Sequence, residues 1–367
     1  MVNKNLEERP VILTIIGSLG DGGKERQLIV HMKSLQAQKK YSTVLAVLNP
    51  GGLREEEAAE FVDLFIKIPR KPDYDIFSSI SALIKVVKQY NVKIIHSWGS
   101  GIWDVVSLIV AKLCRVPFLH NGIQSAPIRL RFSDQLTRVS AIFADVIVAN
   151  SMAGLKAFKL ENHRRAKVIY NGMDPERFSP YLSSNVEDNL CMVANFRVEK
   201  DHKTMIRALD CIRRSIPSVQ LFLVGHDFGT LEAIQNMVND LNLHEQVTFI
   251  TDTLHPEPYI AESKVGVLST HSEGISNVLL EYMGLTKPIV VSNNGGNPEV
   301  VENGINGYLV APGSADELCE KVVALIMDPD LARKMGMEGR RIFEEKFSVS
   351  QMENAFNEIY SELNKQD

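Results

Sequence analysis

The chain has 367 residues, enough for two domains that each bury a core of their own. Its 40 basic and 45 acidic residues leave a net charge of −5, without the basic excess expected of a nucleic-acid binder. With 45% hydrophobic and 23% charged residues the composition is that of an ordinary globular protein, and no run reaches the roughly 18 apolar residues of a membrane span. Cys114, Cys191, Cys211 and Cys319 are far apart and form no C-x-x-C. That spacing suggests neither a zinc site nor a disulfide framework, and it fits a reducing compartment. The first ten residues carry no apolar signal segment, so a cytoplasmic protein is expected.

Val11-Ile-Leu-Thr-Ile-Ile16 predicts a buried strand, followed by Gly17-Ser-Leu-Gly20-Asp-Gly22-Gly23 and a helix over residues 24–38. Glycines after a first strand let a phosphate or sugar approach the backbone; they equally make a tight strand-to-helix turn. A nicotinamide dinucleotide site would want G-x-G-x-x-G and an acid closing the second strand. Here Glu25 stands in the third glycine place, and the strand at 44–48 runs into Asn49. The alternation continues with a strand at 63–68, a helix at 74–90, a strand at 92–98, a helix at 102–114, a strand at 116–121, a helix at about 128–143 and a strand at 145–149. It predicts a parallel sheet with helices on both faces, and functional side chains just beyond the strand ends. His96, Ser97, Trp98, Asn121, Gln124 and Asn150 stand there. A strand histidine such as His96 or His120 reads either as a hydrogen-bonded core residue or as a catalyst. Residues 128–143 mix Arg129, Arg131 and Arg138 with Ile128, Leu130, Phe132 and Leu136. They read either as a core-packing helix with a solvated face or as a basic amphipathic helix for an anionic bilayer.

Residues 167–180 read as a strand, an Asn-Gly turn and a proline-bounded turn, and residues 183–189 as a polar linker. A strand at 190–194 opens a second domain. The loop after it carries Arg197 and Lys200, and a helix starts at Thr204. Strands at 220–225 and 247–250 follow, with a loop at 253–258. Lys264-Val-Gly-Val-Leu-Ser-Thr270 is a further buried strand. The turn His271-Ser-Glu273-Gly274-Ile275-Ser276 then leads into a helix from Asn277 that stops before Lys287-Pro288, with Ser276 as its N-cap. Strand, loop and helix in that order place a helix N-terminus at the carboxyl edge of a parallel sheet, where anions bind. Glu273 and Glu281 bracket this start. Ser276 to Glu281 spans roughly 7.5 Å along a helix axis, about the length of a diphosphate. Each glutamate taken alone reads as a solvated residue. Taken together they suit a ligand with a hydroxyl-bearing ring at each end of a diphosphate, draped over the amides of Gly274, Ile275, Ser276 and Asn277. A nucleotide-sugar has that shape. Helices at about 315–327, 331–347 and 350–363 finish the chain.

The stretch from Glu273 to Glu281 resembles the E-x(7)-E motif of the retaining nucleotide-sugar glycosyltransferases of family 4, which have the GT-B fold. The resemblance continues through Pro288-Ile-Val-Val-Ser, Gly295-Gly296-Asn297-Pro298-Glu299, Asn303-Gly304 and Pro312-Gly313, and is closer in the C-terminal half than in the N-terminal half. It implies an α/β protein of two Rossmann-like domains facing a central cleft. Residues 1–175 would form the acceptor-side domain, 176–347 the nucleotide-sugar-binding domain, and 348–367 a helix crossing back to the first domain. Gly22 and Gly23 then belong to the family's N-terminal glycine loop, and Gly225 lies near the nucleotide. Lys200 matches the family lysine. The usual arginine two residues before Arg197 is Asn195 here, which makes Arg197 its expected substitute. Arg197, Lys200 and the helix start would stabilise a departing nucleoside diphosphate without a metal or cofactor. Glu273 would hold the donor sugar and Glu281 the ribose.

His96, His120, Asn121 and Gln124 are expected on the acceptor side. Many family members carry a histidine six residues after the proline of this strand; that place is Ile123 here, and His120 follows Pro117 by three. The implied activity is hexosyl or N-acetylhexosaminyl transfer from a UDP-sugar to a hydroxyl of a glycan or lipid-linked acceptor, in surface polysaccharide or glycoconjugate synthesis. The enzyme would work in the cytoplasm, in peripheral contact with the inner face of a membrane. A sugar-nucleotide epimerase of the same fold and a non-catalytic nucleotide-sugar-binding module are the rival readings.

Overall fold

A computed structural model describes residues 9–20, 22–68, 76–182, 188–253 and 255–365. The chain divides into two compact units, one formed by Met1–Gly172 with Val349–Asp367, the other by Met173–Ser348. The expected start of a helix at residues 74–75, most of the polar linker at 183–187, Asp21 and Leu254 fall outside the described residues.

In the first unit strands and helices alternate along the chain. They are β1 (Val11–Ile16), α1 (Gly23–Gln38), β2 (Ser42–Val47), α2 (Glu55–Glu60), β3 (Leu64–Lys67), α3 (Ile76–Gln89), β4 (Val92–Ser97), α4 (Ile102–Cys114), β5 (Phe118–Ile123), α5 (Phe132–Ile142), β6 (Val146–Ala149), α6 (Met152–Ala157) and β7 (Ala166–Val168). All neighbouring strands are parallel, in the order β3-β2-β1-β4-β5-β6-β7. β1 and β2 are buried along their whole length, as apolar β-branched runs covered on both faces must be. One face packs on α3, α4 and α5 through Leu83, Val106, Val110 and Ala141. The other packs on α1 and on a helix from the far end of the chain, Val349–Asn364, through Leu28, Met32, Phe356 and Leu363.

In the second unit the elements are β8 (Asn189–Val193), α7 (His202–Ser215), β9 (Gln220–Val224), α8 (Leu231–Asp240), β10 (Val247–Ile250), α9 (Glu257–Ala261), β11 (Val265–Leu268), α10 (Asn277–Gly284), β12 (Ile289–Ser292), α11 (Asn297–Val300), β13 (Gly307–Val310), α12 (Ala315–Met327) and α13 (Pro329–Lys346). The chain then returns to the first unit as α14 (Val349–Asn364). This sheet is also parallel, in the order β10-β9-β8-β11-β12-β13. In each sheet the order reverses beside the unit's first strand, between β1 and β4 and between β8 and β11. Ligands of doubly wound sheets bind at such a switch point, beyond the strands' carboxyl ends.

Some features were not expected from the sequence. Cys211 on α7 and Cys319 on α12 form a disulfide with a Cα–Cα distance of 6.1 Å across 108 residues. The expectation of no disulfide is therefore corrected. Cysteine spacing carries no sign of this pair, because tertiary packing of α7 on α12 brings the two together. The sequence reading also missed the ten-residue α8 and the short helices α2, α6, α9 and α11, whose four to six residues show too little periodicity. Among the described residues no helix is long and apolar enough to cross a membrane.

α14 is fastened to the first unit by buried polar groups as well as by apolar ones. His31 on α1 pairs through Nδ1 with Glu353 Oε1 (2.7 Å) and through Nε2 with the Tyr360 hydroxyl (2.7 Å). The same hydroxyl meets His96 Nδ1 at 2.7 Å, so it donates to one ring and accepts from the other. Burial, and then the neighbouring His31 and His120, hold His96 well below the ordinary histidine range. Tyr360→Phe keeps the ring but leaves two buried imidazole nitrogens without their shared partner. Thermal unfolding should show a loss of about 1–3 kcal/mol, several degrees in the transition of this unit. A Tyr360→Phe protein as stable as the parent would show that the network does not fasten the helix.

Candidate active site

The chemistry-bearing residues of the second unit gather at its switch point. β8 ends in the loop Ala194-Asn195-Phe196-Arg197, and β11 ends in the loop that carries Glu273. Each loop holds the other. The Glu199 carbonyl accepts from the His271 N–H (2.9 Å) and from the Thr270 hydroxyl (2.9 Å). Asp201 caps α7 by accepting from the Thr204 N–H (3.3 Å), and its other oxygen accepts from the Ser269 hydroxyl (3.4 Å). Lys200 lies between these anchors, and its ammonium contacts Glu273 Oε1 directly. Burial and the nearby Arg197 guanidinium lower the Lys200 ammonium to about 8, against the opposing pull of Glu199.

Arg197 is exposed, with its guanidinium stacked 3.8 Å above the Phe228 ring, a partner that the sequence reading did not foresee. Asn195, in the place of the family arginine, is spent differently: its side-chain oxygen accepts from the His226 N–H at 3.0 Å and ties the β8 loop to the β9 loop. Gly225 sits at that junction. A Cβ there would lie 2.3 Å from the Ala194 carbonyl oxygen, so glycine lets the two loops touch. Beside them His202 stacks on Phe196, with 4.5 Å between the ring centres, and burial lowers it to about 4.

α10 begins as expected, with Ser276 at the N-cap, but the Ser276 side chain makes no capping bond. Gly274, Ile275 and Ser276 are buried, and Asn277 is half-buried. The helix is set against the sheet by Tyr282, which the sequence reading passed over. Its hydroxyl lies 2.9 Å from the Cys191 carbonyl and 3.1 Å from that of Val267, and it accepts from the Val193 N–H at 3.0 Å. Tyr282 thereby bridges β8 and β11 at the switch point. Glu281 is 2% exposed and faces Arg177 at 3.8 Å. Arg177 also pairs with buried Glu257, its Nε 2.7 Å from Oε1. Burial works against the arginine's charge, but Glu281 and Glu257 more than offset it, so its pKa is raised. No signal in the sequence singled out Arg177 or Glu257. Only the fold brings these two residues, 80 positions apart, together.

The expected residues of the first unit are placed differently. Gly22, half-buried, is the N-cap of α1, and exposed Gly23 opens that helix. His96 and His120 are both fully buried. His96 is taken up by Tyr360, which gives it a packing role in place of the acceptor-facing one expected. His120 lies 3.4 Å from Asp104 and 3.2 Å from the Ser140 hydroxyl. Asp104 also accepts from Ser97 (2.8 Å) and Thr137 (2.9 Å). Burial alone would raise the Asp104 pKa, but His120, Ser97 and Thr137 together lower it. His120 is therefore part of a closed polar core that joins β4, β5, α4 and α5. Asn121 is also buried, and its side-chain oxygen accepts from half-buried Gln124 at 2.8 Å.

Two doubly wound units of this kind define the GT-B class. Residues 175–342 match the family described as glycosyl transferases group 1, and residues 21–177 match glycosyltransferase family 4. Among the similar proteins, N-acetyl-alpha-D-glucosaminyl L-malate synthase of Bacillus anthracis is 25% identical over 313 residues, 81% of each chain. The capsular polysaccharide biosynthesis glycosyltransferase CapM of Staphylococcus aureus is 24% identical over 331 residues, 80% of this chain and 85% of that one. HepE of Anabaena, solved with UDP-glucose, superimposes with a TM-score of 0.81 at 22% identity, covering 96% of this chain and 99% of its own. The chain is a glycosyltransferase of the family 4 type, with the GT-B fold.

The Glu273 loop depends on the glycine turn that follows β12. The Gly296 N–H donates to the Glu273 carbonyl at 3.2 Å, and a Cβ on Gly296 would lie 2.3 Å from the Gly274 carbonyl oxygen. Gly296→Ala adds one methyl group at an ordinary backbone angle, yet it must push that loop by about 1 Å. Misplacement on that scale costs about a hundredfold in rate. Glycosyl transfer by Gly296→Ala should fall by that order while the melting temperature shifts by only a few degrees. Parental turnover would show that the turn does not position Glu273.

Proposed function

We propose that the chain is a retaining glycosyltransferase that moves a hexosyl or N-acetylhexosaminyl group from a UDP-sugar to a hydroxyl of a glycan or lipid-linked acceptor. The observation that carries this reading is the meeting of Lys200 and Glu273, 73 residues apart, where the second sheet changes direction. A cation and a carboxylate side by side at such a switch point suit the two ends of the bond to be broken. The solved HepE complex with UDP-glucose supports the choice of donor, and the capsular role of CapM supports a place in surface polysaccharide or glycoconjugate synthesis.

In this reading Lys200 and Arg197 face the diphosphate. Together with the α10 start, where Gly274, Ile275, Ser276 and Asn277 lie, they stabilise the charge that builds on the distal phosphate. The bond from the anomeric carbon to that phosphate oxygen breaks, and the acceptor oxygen bonds to the same carbon on the same face. The acceptor proton passes to the departing phosphate, and nucleoside diphosphate leaves. The protein's own cations serve the leaving group, so the reading calls for neither a metal nor a cofactor. Glu273 accepts from hydroxyls of the donor sugar. Glu281 accepts from the ribose, with Arg177 and Glu257 fixing its position from behind. Gly22 and Gly23 approach the substrate through their backbone, Gly225 supports the nucleotide side, and Asn121 and Gln124 are the acceptor-side residues kept. The enzyme would act in the cytoplasm, in peripheral contact with the inner membrane face.

Product analysis in EDTA with UDP-glucose and UDP-N-acetylglucosamine separates the possibilities. Transfer releases UDP in step with a glycosylated acceptor, an epimerase returns an altered nucleotide-sugar, and a binding module returns nothing. The two glutamates should fail differently. Glu281→Ala removes a charge-assisted bond made before and during reaction, so UDP itself should bind about tenfold to a hundredfold more weakly. Glu273→Ala should leave UDP binding nearly intact and lower kcat, because sugar orientation counts most in the transition state. Calorimetry with UDP beside steady-state rates reads both effects. Loss of UDP binding in Glu273→Ala but not in Glu281→Ala would reverse the assignment.

A further inference from the structure

One buried carboxylate in the first unit holds two neighbouring strand ends. Asp104, in the first turn of α4, is completely buried. Its Oδ1 accepts from the Ser97 hydroxyl at the end of β4 (2.8 Å), and its Oδ2 accepts from the Thr137 hydroxyl on α5 (2.9 Å). Both hydroxyl oxygens accept in turn from the backbone of the loop between β4 and α4. Ser97 takes the Gly99 N–H (3.2 Å) and Thr137 the Gly101 N–H (2.7 Å). A third branch runs to β5. The Gly122 N–H donates to His120 Nδ1 at 3.4 Å, which leaves the ring proton on Nε2, the nitrogen 3.4 Å from Asp104 Oδ2.

The backbone is shaped around the same carboxylate. A Cβ on Gly99 would lie 2.9 Å from Oδ1, and one on Gly122 would lie 2.5 Å from Oδ2. Glycine at both places lets the ends of β4 and β5 close on the two oxygens. Gly101 turns the chain into α4 at a φ of +59°, where a side chain would be strained. All three neighbours of Asp104 present a proton to it, and an ionised carboxylate, which only accepts, satisfies all three. The segments so fixed lie at and beyond the carboxyl ends of β4 and β5, and β4 borders the switch point of this sheet. One carries exposed Ser100, the other Asn121 and Gln124. Resting on the acceptor-side reading of Asn121 and Gln124, we propose that Asp104 is a positioning residue for acceptor binding. Through Ser97, Thr137 and His120 it sets the backbone of residues 99–101 and 121–124, against which the hydroxyls of a sugar acceptor lie.

Steady-state transfer from UDP-glucose and UDP-N-acetylglucosamine to a panel of octyl glycosides tests this. Asp104→Asn puts an amide donor among three donors. Thr137→Val keeps the shape of threonine but frees the Gly101 N–H. Each should raise the acceptor KM by about tenfold, the equivalent of one lost hydrogen bond. UDP affinity by calorimetry, kcat and slow hydrolysis of the donor should stay at parental values. Thr137→Ser restores the hydroxyl and should restore the KM, so the threonine pair decides the matter if Asp104→Asn folds poorly. Trp98 and Trp103, the only tryptophans of the chain, flank the β4–α4 loop, and acrylamide should quench them more readily in Asp104→Asn and Thr137→Val. Gln124→Ala separates this role from the reading beneath it. If Gln124→Ala raises the acceptor KM while Asp104→Asn and Thr137→Val do not, the acceptor side stands and the positioning role is overturned. If Gln124→Ala leaves the KM unchanged, or the parent glycosylates no member of the panel, the acceptor-side reading falls and the positioning role with it. Loss of UDP affinity in step with transfer would show a general structural role and overturn the proposal as well.

Discussion

The contact between Lys200 and Glu273 joins the two loops at the switch point of the second unit. It exists because β8 and β11 are sequence-distant strands that lie side by side where the sheet order turns. Burial taxes the ammonium and brings it to about 8, so Lys200 is a cation that gains from any further negative charge placed beside it. Its surroundings are held by hydrogen bonds. Glu199 and Asp201, on either side of it, are hydrogen-bonded to Ser269, Thr270 and His271. Behind it, Tyr282 ties α10 to both strands through three backbone groups. A ligand phosphate would enter a site whose groups are already held in place, which is the arrangement that electrostatic stabilisation of a leaving group requires.

Paired burial also shapes the charged groups elsewhere. Asp104 stays ionised inside the first unit because His120, Ser97 and Thr137 surround it. Glu281 and Glu257 are both almost fully buried, and Arg177 lies between them. Breaking one member of such a group strands the others, which costs more than the group contributes when whole. In the first unit these interactions join elements distant in the chain: His31 reaches Glu353 and Tyr360 on the returning helix.

Much of the fold was legible because its strands are apolar β-branched runs bounded by glycine and polar turns. The periodicity gave α4 and α12 their observed bounds, and Lys200 and Glu273 stood out because they follow strand ends. What was not legible depends on tertiary contact. Cys211 finds Cys319 through the packing of α7 on α12. Arg177 gains its meaning only when Glu257 and Glu281 arrive beside it, and Phe228 only when the β9 loop folds over Arg197. His96 looked functional at a strand end, but its ring faces the sheet side covered by α14, where Tyr360 meets it. The sequence left residues 128–143 with two readings; α5 packs inward through Thr137, Ser140 and Ala141 while Phe132 and Phe143 stay exposed.

The central claim, that Lys200 grips the donor diphosphate, is tested most directly by the pH dependence of UDP binding. Below about 8 the free protein already carries the ammonium; above it the charge is lost and must be restored on binding. UDP affinity measured by calorimetry should therefore fall by about tenfold between pH 7 and pH 9. In Lys200→Arg, whose guanidinium stays charged across that range, the curve should be nearly flat. An affinity that does not change with pH in the parent protein, or that falls equally in Lys200→Arg, would contradict the account.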